Sequence, residues 1–469
     1  MRPQLMQIRL IRPRMHTEES PSRSKVRWVV VVAALGYFVD IFDLLLFALL
    51  RKKSLTDVLA SQLAATPQAE HDLVLKDWGL WLDNTLQMTG LMVGGILWGV
   101  LGDRLGRITV LFGSILTYSV ANLLNAVITD VEVNSMFGFL HSFGLGSAIR
   151  QYEVLRFLAG IGLAGELGAG ITLVAEITRR EGRGTATTIV ATVGILGAVV
   201  AYFVTKAFSW REAFAIGGAL GLALLVLRIR VVESGMWNHI RKHGHRGAIW
   251  MLLWPPRRLV RYLCVVFIAV PIWFAVGTLV KYGDVIGASL GLPAAEKPDP
   301  GQAIMWCYVG LAIGDLSSGL LSQWLRSRRK SVFIFQCITV AAICAYFLVG
   351  PRSQAWFYAS CGVLGLGCGY WAVFATTAAE QFGTNVRATA ATTAPNLVRW
   401  SAAASAGLWV MMERWLMEWP TQTPRSAEAI AAIPWQAAAL TGAIVMVISM
   451  LALLGLRETY GVDLDFEEV

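Results

Sequence analysis

Twelve apolar runs, each on the order of 20 residues, follow one another along the chain at 26–50, 80–101, 108–128, 151–177, 185–208, 212–232, 259–282, 302–325, 332–350, 355–379, 388–412 and 435–456. As an α-helix, a run of this length crosses the hydrocarbon core of a bilayer, where the backbone must satisfy its own polar groups. The pattern therefore predicts an all-α polytopic membrane protein. Composition agrees, since only 15% of residues are charged and 56% are hydrophobic, whereas about a quarter are charged in soluble domains. The net charge of +9 does not point to nucleic acid, because the basic residues sit in short segments between apolar runs.

The widest basic connector, 228–261, follows the sixth run and divides the chain into halves, as internal duplication does in many transporters. We assign 1–25 to a cytosolic tail, 26–232 to an N-terminal six-helix bundle, 233–258 to a cytosolic connector, 259–456 to a C-terminal six-helix bundle and 457–469 to a second cytosolic tail. Arg12, Arg14, Arg179, Arg180, Arg257, Arg258, Arg328 and Arg329 fall on one side, which places both termini in the cytosol and the protein in the inner (cytoplasmic) membrane. Arg51-Lys52-Lys53 runs against this rule and is read as interfacial. The first 27 residues are polar and basic, so no cleavable signal peptide is expected. All six cysteines lie in predicted spans without paired spacing, and the cluster His239, His243 and His245 has no further firm ligands. Neither a metal nor a cofactor is expected.

Between the second and third runs stands Gly99-Val100-Leu101-Gly102-Asp103-Arg104-Leu105-Gly106-Arg107. This G-x-x-x-D-R-x-G-R loop resembles the signature of the major facilitator superfamily between its second and third helices. The R-x-x-x-G-x-G run from Arg156 to Gly162, the loop from Glu380 to Arg387 and the E-T-x-G tail at Glu458 resemble the same superfamily. That resemblance implies twelve transmembrane helices in two six-helix bundles, moving a small organic solute by alternating access. It also implies gating roles for Gly99, Asp103, Arg104, Gly106, Arg107, Glu380 and Arg387. The second-half copy of the loop departs from the pattern, with Gln323 at the aspartate position and the glycine missing. The fifth run lacks the G-P-x-x-G-G pattern of drug antiporters, which weighs against multidrug efflux.

Charge within a span costs roughly 2.5–3.5 kcal/mol on insertion scales, so it faces a cavity or a partner. Asp40-Ile41-Phe42-Asp43 places two acids three residues apart in the first span. The D-x-F-D-L-x-x-F pattern there is similar to that of facilitators carrying aromatic acids and other metabolites with protons. A carboxyl shielded from water can load and release a proton near neutral pH, which makes Asp40, Asp43, Glu166 and Asp315 proton-coupling candidates. For each, the structural alternative is a fixed hydrogen bond between helices. Arg156, Tyr370, Trp371, Asn396 and Arg399 are substrate-binding candidates, Arg399 because a guanidinium holds a carboxylate bidentately. The alternative for Arg156 is neutralisation by Glu153, and Lys281 with Asp284 reads as an interface pair. No metalloprotease, nucleotide-loop or nucleophile-elbow motif argues for an enzyme. The expected function is proton-coupled transport of a carboxylated metabolite, with the solute, protons and the lipid bilayer as partners. An exporter, a uniporter and a solute sensor without transport are the alternatives.

Overall fold

The computed structural model describes residues 23–105, 107–133, 135–165, 180–233, 250–383, 386–419 and 425–461. Each predicted run holds helix: α1 (Arg23–Val58), α2 (Met88–Leu105, entered through a π-helical Leu80–Gln87), α3 (Arg107–Asn125), α4 (Ala148–Leu163), α5 (Arg180–Ile195, continued by Gly197–Ala207) and α6 (Trp210–Glu233). The second half repeats the plan with α7 (Pro256–Phe267, Val270–Phe274 and π-helical Ala275–Val280), α8 (Pro300–Trp324), α9 (Arg328–Leu348), α10 (Gln354–Cys368 and Trp371–Glu380), α11 (Arg387–Glu418) and α12 (Ile433–Leu454). Among the described residues, eight helices are long and apolar enough to cross a membrane by length and composition.

Stripes of large apolar side chains turn outward on several helices. Leu116, Val120 and Leu124 form an exposed stripe on α3, as do Ile313, Leu316 and Leu320 on α8 and Ile448, Leu451 and Leu454 on α12. Such faces suit lipid tails, so the interior is free to use small and polar residues for close packing. On α8 these are Gly310, Gly314, Asp315 and Ser318. A Cβ on Gly310 would overlap the Gly362 carbonyl, and one on Gly365 the Cys307 carbonyl, so α8 and α10 meet backbone to backbone.

Both α7 and α10 are broken within their spans. Pro271 lacks an N–H, and α7 tightens there, Ile272 N bonding Ala269 O at 3.1 Å. The released Ile268 carbonyl accepts from Tyr370 Oη at 2.9 Å and Ser449 Oγ at 3.1 Å. In α10 the break falls at Gly369–Tyr370. The second segment of α10 starts against Asp315, whose Oδ1 accepts from Ala372 N at 2.7 Å. A carboxylate at a helix N-terminus satisfies an otherwise orphaned donor and complements the helix dipole.

Candidate functional site

Asp40 of α1 and Arg399 of α11 meet at 2.9 Å between the two halves, both at 0% side-chain exposure. Tyr37, one turn before Asp40, and Tyr308 of α8 flank the same guanidinium. Trp371 opens the second segment of α10 and lies 6.0 Å from the guanidinium carbon. Trp273 of α7 packs edge-on to Trp371 with ring centroids 6.4 Å apart. Among the described residues, four buried donors here have no hydrogen-bond partner: Arg399 Nε and Nη1, Trp273 Nε1 and Trp371 Nε1. Because buried donors seldom go unmatched, a cluster of them beside a cation suits an acceptor-rich ligand with an aromatic face.

A second centre lies within the N-terminal half. Arg156 donates to Asn122 Oδ1 at 2.9 Å and Gln87 Oε1 at 3.4 Å, and lies over Phe214 at 4.7 Å. The alternative reading of Arg156, neutralisation by Glu153, is not what forms. Glu153 instead pairs with Arg150 at 2.8 Å and accepts from Trp81 at 2.7 Å, because it faces outward while Arg156 is fully buried. Asp43 is buried beside the Asn122 amide, and neither of its oxygens has a donor in bonding geometry. Gly217 of α6 makes room for it, since a Cβ there would overlap Asp43 Oδ1.

The other candidates are placed as follows. Tyr370 is tied to the Ile268 carbonyl and Asp315 to the α10 backbone. Asn396 Nδ2 donates to Ala164 O at 2.9 Å, joining α11 to the end of α4, while its neighbour Gly95 of α2 has room for no Cβ. Gly99 faces Thr393 of α11. Glu166 and Gly106 lie outside the described residues, as do the side chains of Asp103, Arg104 and Arg107.

The end of the molecule away from the termini is laced by ion pairs between the halves. Asp284, at the end of α7, takes Arg51 at 3.1 Å and Lys52 at 2.8 Å. Lys281 reaches Asp83 at 2.6 Å, Lys76 reaches Glu413 at 3.0 Å, Lys297 reaches Asp72 at 2.7 Å and Lys206 reaches Asp299 at 2.8 Å. The expected pairing of Lys281 with Asp284 is thus replaced by two longer-range pairs. The interfacial reading of Arg51-Lys52-Lys53 also changes: Arg51 is 4% exposed, stacks on Tyr282 at 4.3 Å and belongs to the seam. Hydrogen bonding to Lys297 is the largest influence on Asp72, and it holds that carboxyl below the usual range.

At the opposite, terminal end, Glu380 pairs with Arg328 at 3.3 Å and accepts from Thr459 Oγ1 at 2.8 Å. Arg387 donates to the Ala379 and Phe382 carbonyls at 3.2 Å. Glu458 accepts from Ser327 Oγ, from Arg328 N at 2.8 Å and from Arg329 N at 3.3 Å, capping α9. Tyr460 Oη donates to Gln323 Oε1 at 3.1 Å. The tail is therefore clasped to the second loop copy, and the glutamine that replaces the loop aspartate serves as its acceptor. Arg326, standing where the first copy has Gly106, adopts φ +48°, the left-handed turn that a glycine takes without strain.

Residues that sequence reasoning passed over include Asp83, Gln87 and Asn122, all buried polar residues inside or at the edge of apolar runs. Their polarity within a span was the available signal. Tyr37 and Tyr308 carried none, since aromatic residues are common in spans.

Residues 84–407 match the family model of the Major Facilitator Superfamily. A Bacillus subtilis protein, NiaP, whose name is that of a niacin/nicotinamide transporter, is 26% identical over 322 residues, which is 66% of this chain and 72% of its own. The niacin transporter NiaP of Acinetobacter baylyi is 31% identical over 171 residues, covering 34% of this chain and 35% of that protein. Among solved structures, the proton:xylose symporter XylE bound to 6-bromo-6-deoxy-D-glucose aligns over 94% of this chain and 98% of its own with a TM-score of 0.61. At 16% identity that likeness concerns the fold. The chain thus belongs to the major facilitator superfamily, as a multi-pass membrane transporter of a small solute rather than an enzyme.

Proposed function

We propose that this transporter takes up an aromatic monocarboxylate, with niacin as the working substrate, together with protons. The observation that carries the reading is the buried Asp40–Arg399 pair between the halves, with the unpartnered indole N–H groups of Trp273 and Trp371 beside it. Arg399 offers a carboxylate two donors in a fixed fork, and the indoles offer an aromatic ring both edge and face. The names of the relatives agree with a compound of this shape.

Coupling follows from one cation serving two acids. A proton on Asp40 releases Arg399 to the substrate carboxylate, and loss of that proton draws Arg399 back and expels the substrate. Protonation and substrate binding then favour each other, which is the differential affinity that coupling requires. Asp43, set beside Arg156 in the N-terminal half, is a second proton carrier in this scheme. Alternating access requires the seam from Asp284 to Glu413 to open while the halves close at the terminal end. Lys and Arg at the terminal end, among them Arg257, Arg326, Arg329 and Lys330, support a cytosolic placement of that end and a cytoplasmic-membrane location. Cations at the other end are mostly tied to acids.

Ligand-dependent thermal stabilisation of the purified chain tests the substrate assignment. Nicotinate and benzoate raise the melting temperature, since a ligand at 100 times its Kd adds about 2.7 kcal/mol. Nicotinamide, the same ring without the charge, has little effect. Equal stabilisation by nicotinamide, or none by either acid, removes Arg399 from substrate recognition.

A further inference from the structure

A cavity of about 200 Å³ opens at the end away from the termini, between α1, α5 and the start of α8. This is below the roughly 300–1,000 Å³ of drug-sized sites, so it suits an ion or a single-ring acid. Its lining holds Arg51, Lys52, Lys53 and Lys206 against one carboxylate, Asp299. The balance of charge is not fully met locally. Lys53 Nζ donates to a neutral acceptor, the Thr205 carbonyl, at 2.8 Å, and Arg51 Nη1 is buried without a hydrogen-bond partner. Arg51 is itself 4% exposed and lines the cavity, so an acceptor that reaches its guanidinium meets little competition from water. Tyr202 adds an aromatic wall, with Lys206 at 5.4 Å from its ring centroid. The acids that hold Arg51, Lys52 and Lys206, Asp284 and Asp299, are among those that join the two halves at this end.

We propose that this cavity is an anion-binding site for a small organic carboxylate, separate from the central Asp40–Arg399 site. There the carboxylate bonds Arg51 Nη1 and Lys53 while the ring lies against Tyr202. Its occupancy shares Arg51 with Asp284, so a bound carboxylate weakens that pair of the seam joining the halves at this end. The choice of an aromatic acid as ligand rests on the substrate reading above, whereas the presence of an anion site rests on this geometry alone.

The test uses the full chain in nanodiscs with Leu49→Cys on the cavity wall, and the chain without that change as background for the native cysteines. Labelling rates are compared for an anionic sulfonatoethyl methanethiosulfonate and its cationic trimethylammonium counterpart. The proposal expects the anionic reagent to react on the order of tenfold faster, as a cationic cleft concentrates anions. Nicotinate and benzoate slow that labelling, whereas nicotinamide, chloride and inorganic phosphate at equal concentration do not. Adding Lys53→Gln and Lys206→Gln removes both the preference and the protection. Equal rates for the two reagents overturn the anion site, and equal protection by phosphate or nicotinamide overturns its assignment to carboxylates. None of these readings needs transport, so a chain that moves no niacin could still pass this test, and an active transporter could fail it.

Discussion

Replacing Arg399 by glutamine leaves Asp40 in the interior without the cation that faces it at 2.9 Å. At an effective dielectric constant of about 20, two unit charges at that separation attract by roughly 6 kcal/mol. Desolvation of both groups offsets most of this, so the pair adds little net stability, yet removing one member costs roughly 3–5 kcal/mol. A second route sets a ceiling on the loss. Asp40 in the variant can take up a proton, which at pH 7 costs about 1.4 kcal/mol for each pH unit above the ordinary aspartate value near 3.9, or roughly 4 kcal/mol. Both estimates agree, and the second fixes the sign of the pH dependence: the penalty shrinks by about 1.4 kcal/mol per unit as pH falls toward 4. The assay is unfolding of the purified chain at several pH values, for Arg399→Gln alone and with Asp40→Asn. The double variant, in which no charge is left unpaired, regains most of the stability but not coupled uptake. A single variant as stable as the parent at pH 7, or a penalty that does not change with pH, refutes the reasoning.

Asp284→Asn should free Arg51 and Lys52 and loosen the seam by several kcal/mol of buried pairing; hydrogen exchange across Gly283–Ser289 would then speed up, and unchanged protection would contradict the role of these pairs. Arg326→Gly should stabilise the chain by about 1 kcal/mol in thermal unfolding, because φ +48° costs an L-residue roughly that much. Burial acts to raise the Glu458 carboxyl, but hydrogen bonds from Ser327, Arg328, Tyr460 and Arg329 outweigh it and hold the group below the usual glutamate range. Its contribution is therefore present at pH 5 and above and is lost only as pH falls through that lowered value, a loss that Glu458→Gln abolishes. Asp43→Asn should remove proton-driven accumulation while leaving gradient-independent exchange, measured by uptake into proteoliposomes.

How much could be read in advance depended on the range of the interaction. Apolar runs of membrane length announced α1 to α12, because span length is a local property of the chain. Asp40, Asp43, Arg156 and Arg399 were equally visible as charges where charge is costly. Their partners were not: Arg399 finds an acid 359 positions away, and Arg51 one 233 positions away. Local spacing even misdirected, pairing Glu153 with Arg156 and Lys281 with Asp284, because three residues along a helix bring side chains near each other without deciding which face is buried. The missing glycine of the second loop copy was legible, whereas only the backbone reveals that Arg326 keeps the turn. Arg51 and Lys52 looked misplaced until Asp284 of the other half stood opposite them.

Uptake of radiolabelled nicotinate into proteoliposomes, with and without an inward proton gradient, tests the central claim most directly. The account predicts saturable accumulation above the equilibrium level that collapses when a protonophore dissipates the gradient. Equilibration that ignores the gradient would make the protein a uniporter and contradict coupling through Asp40 and Arg399.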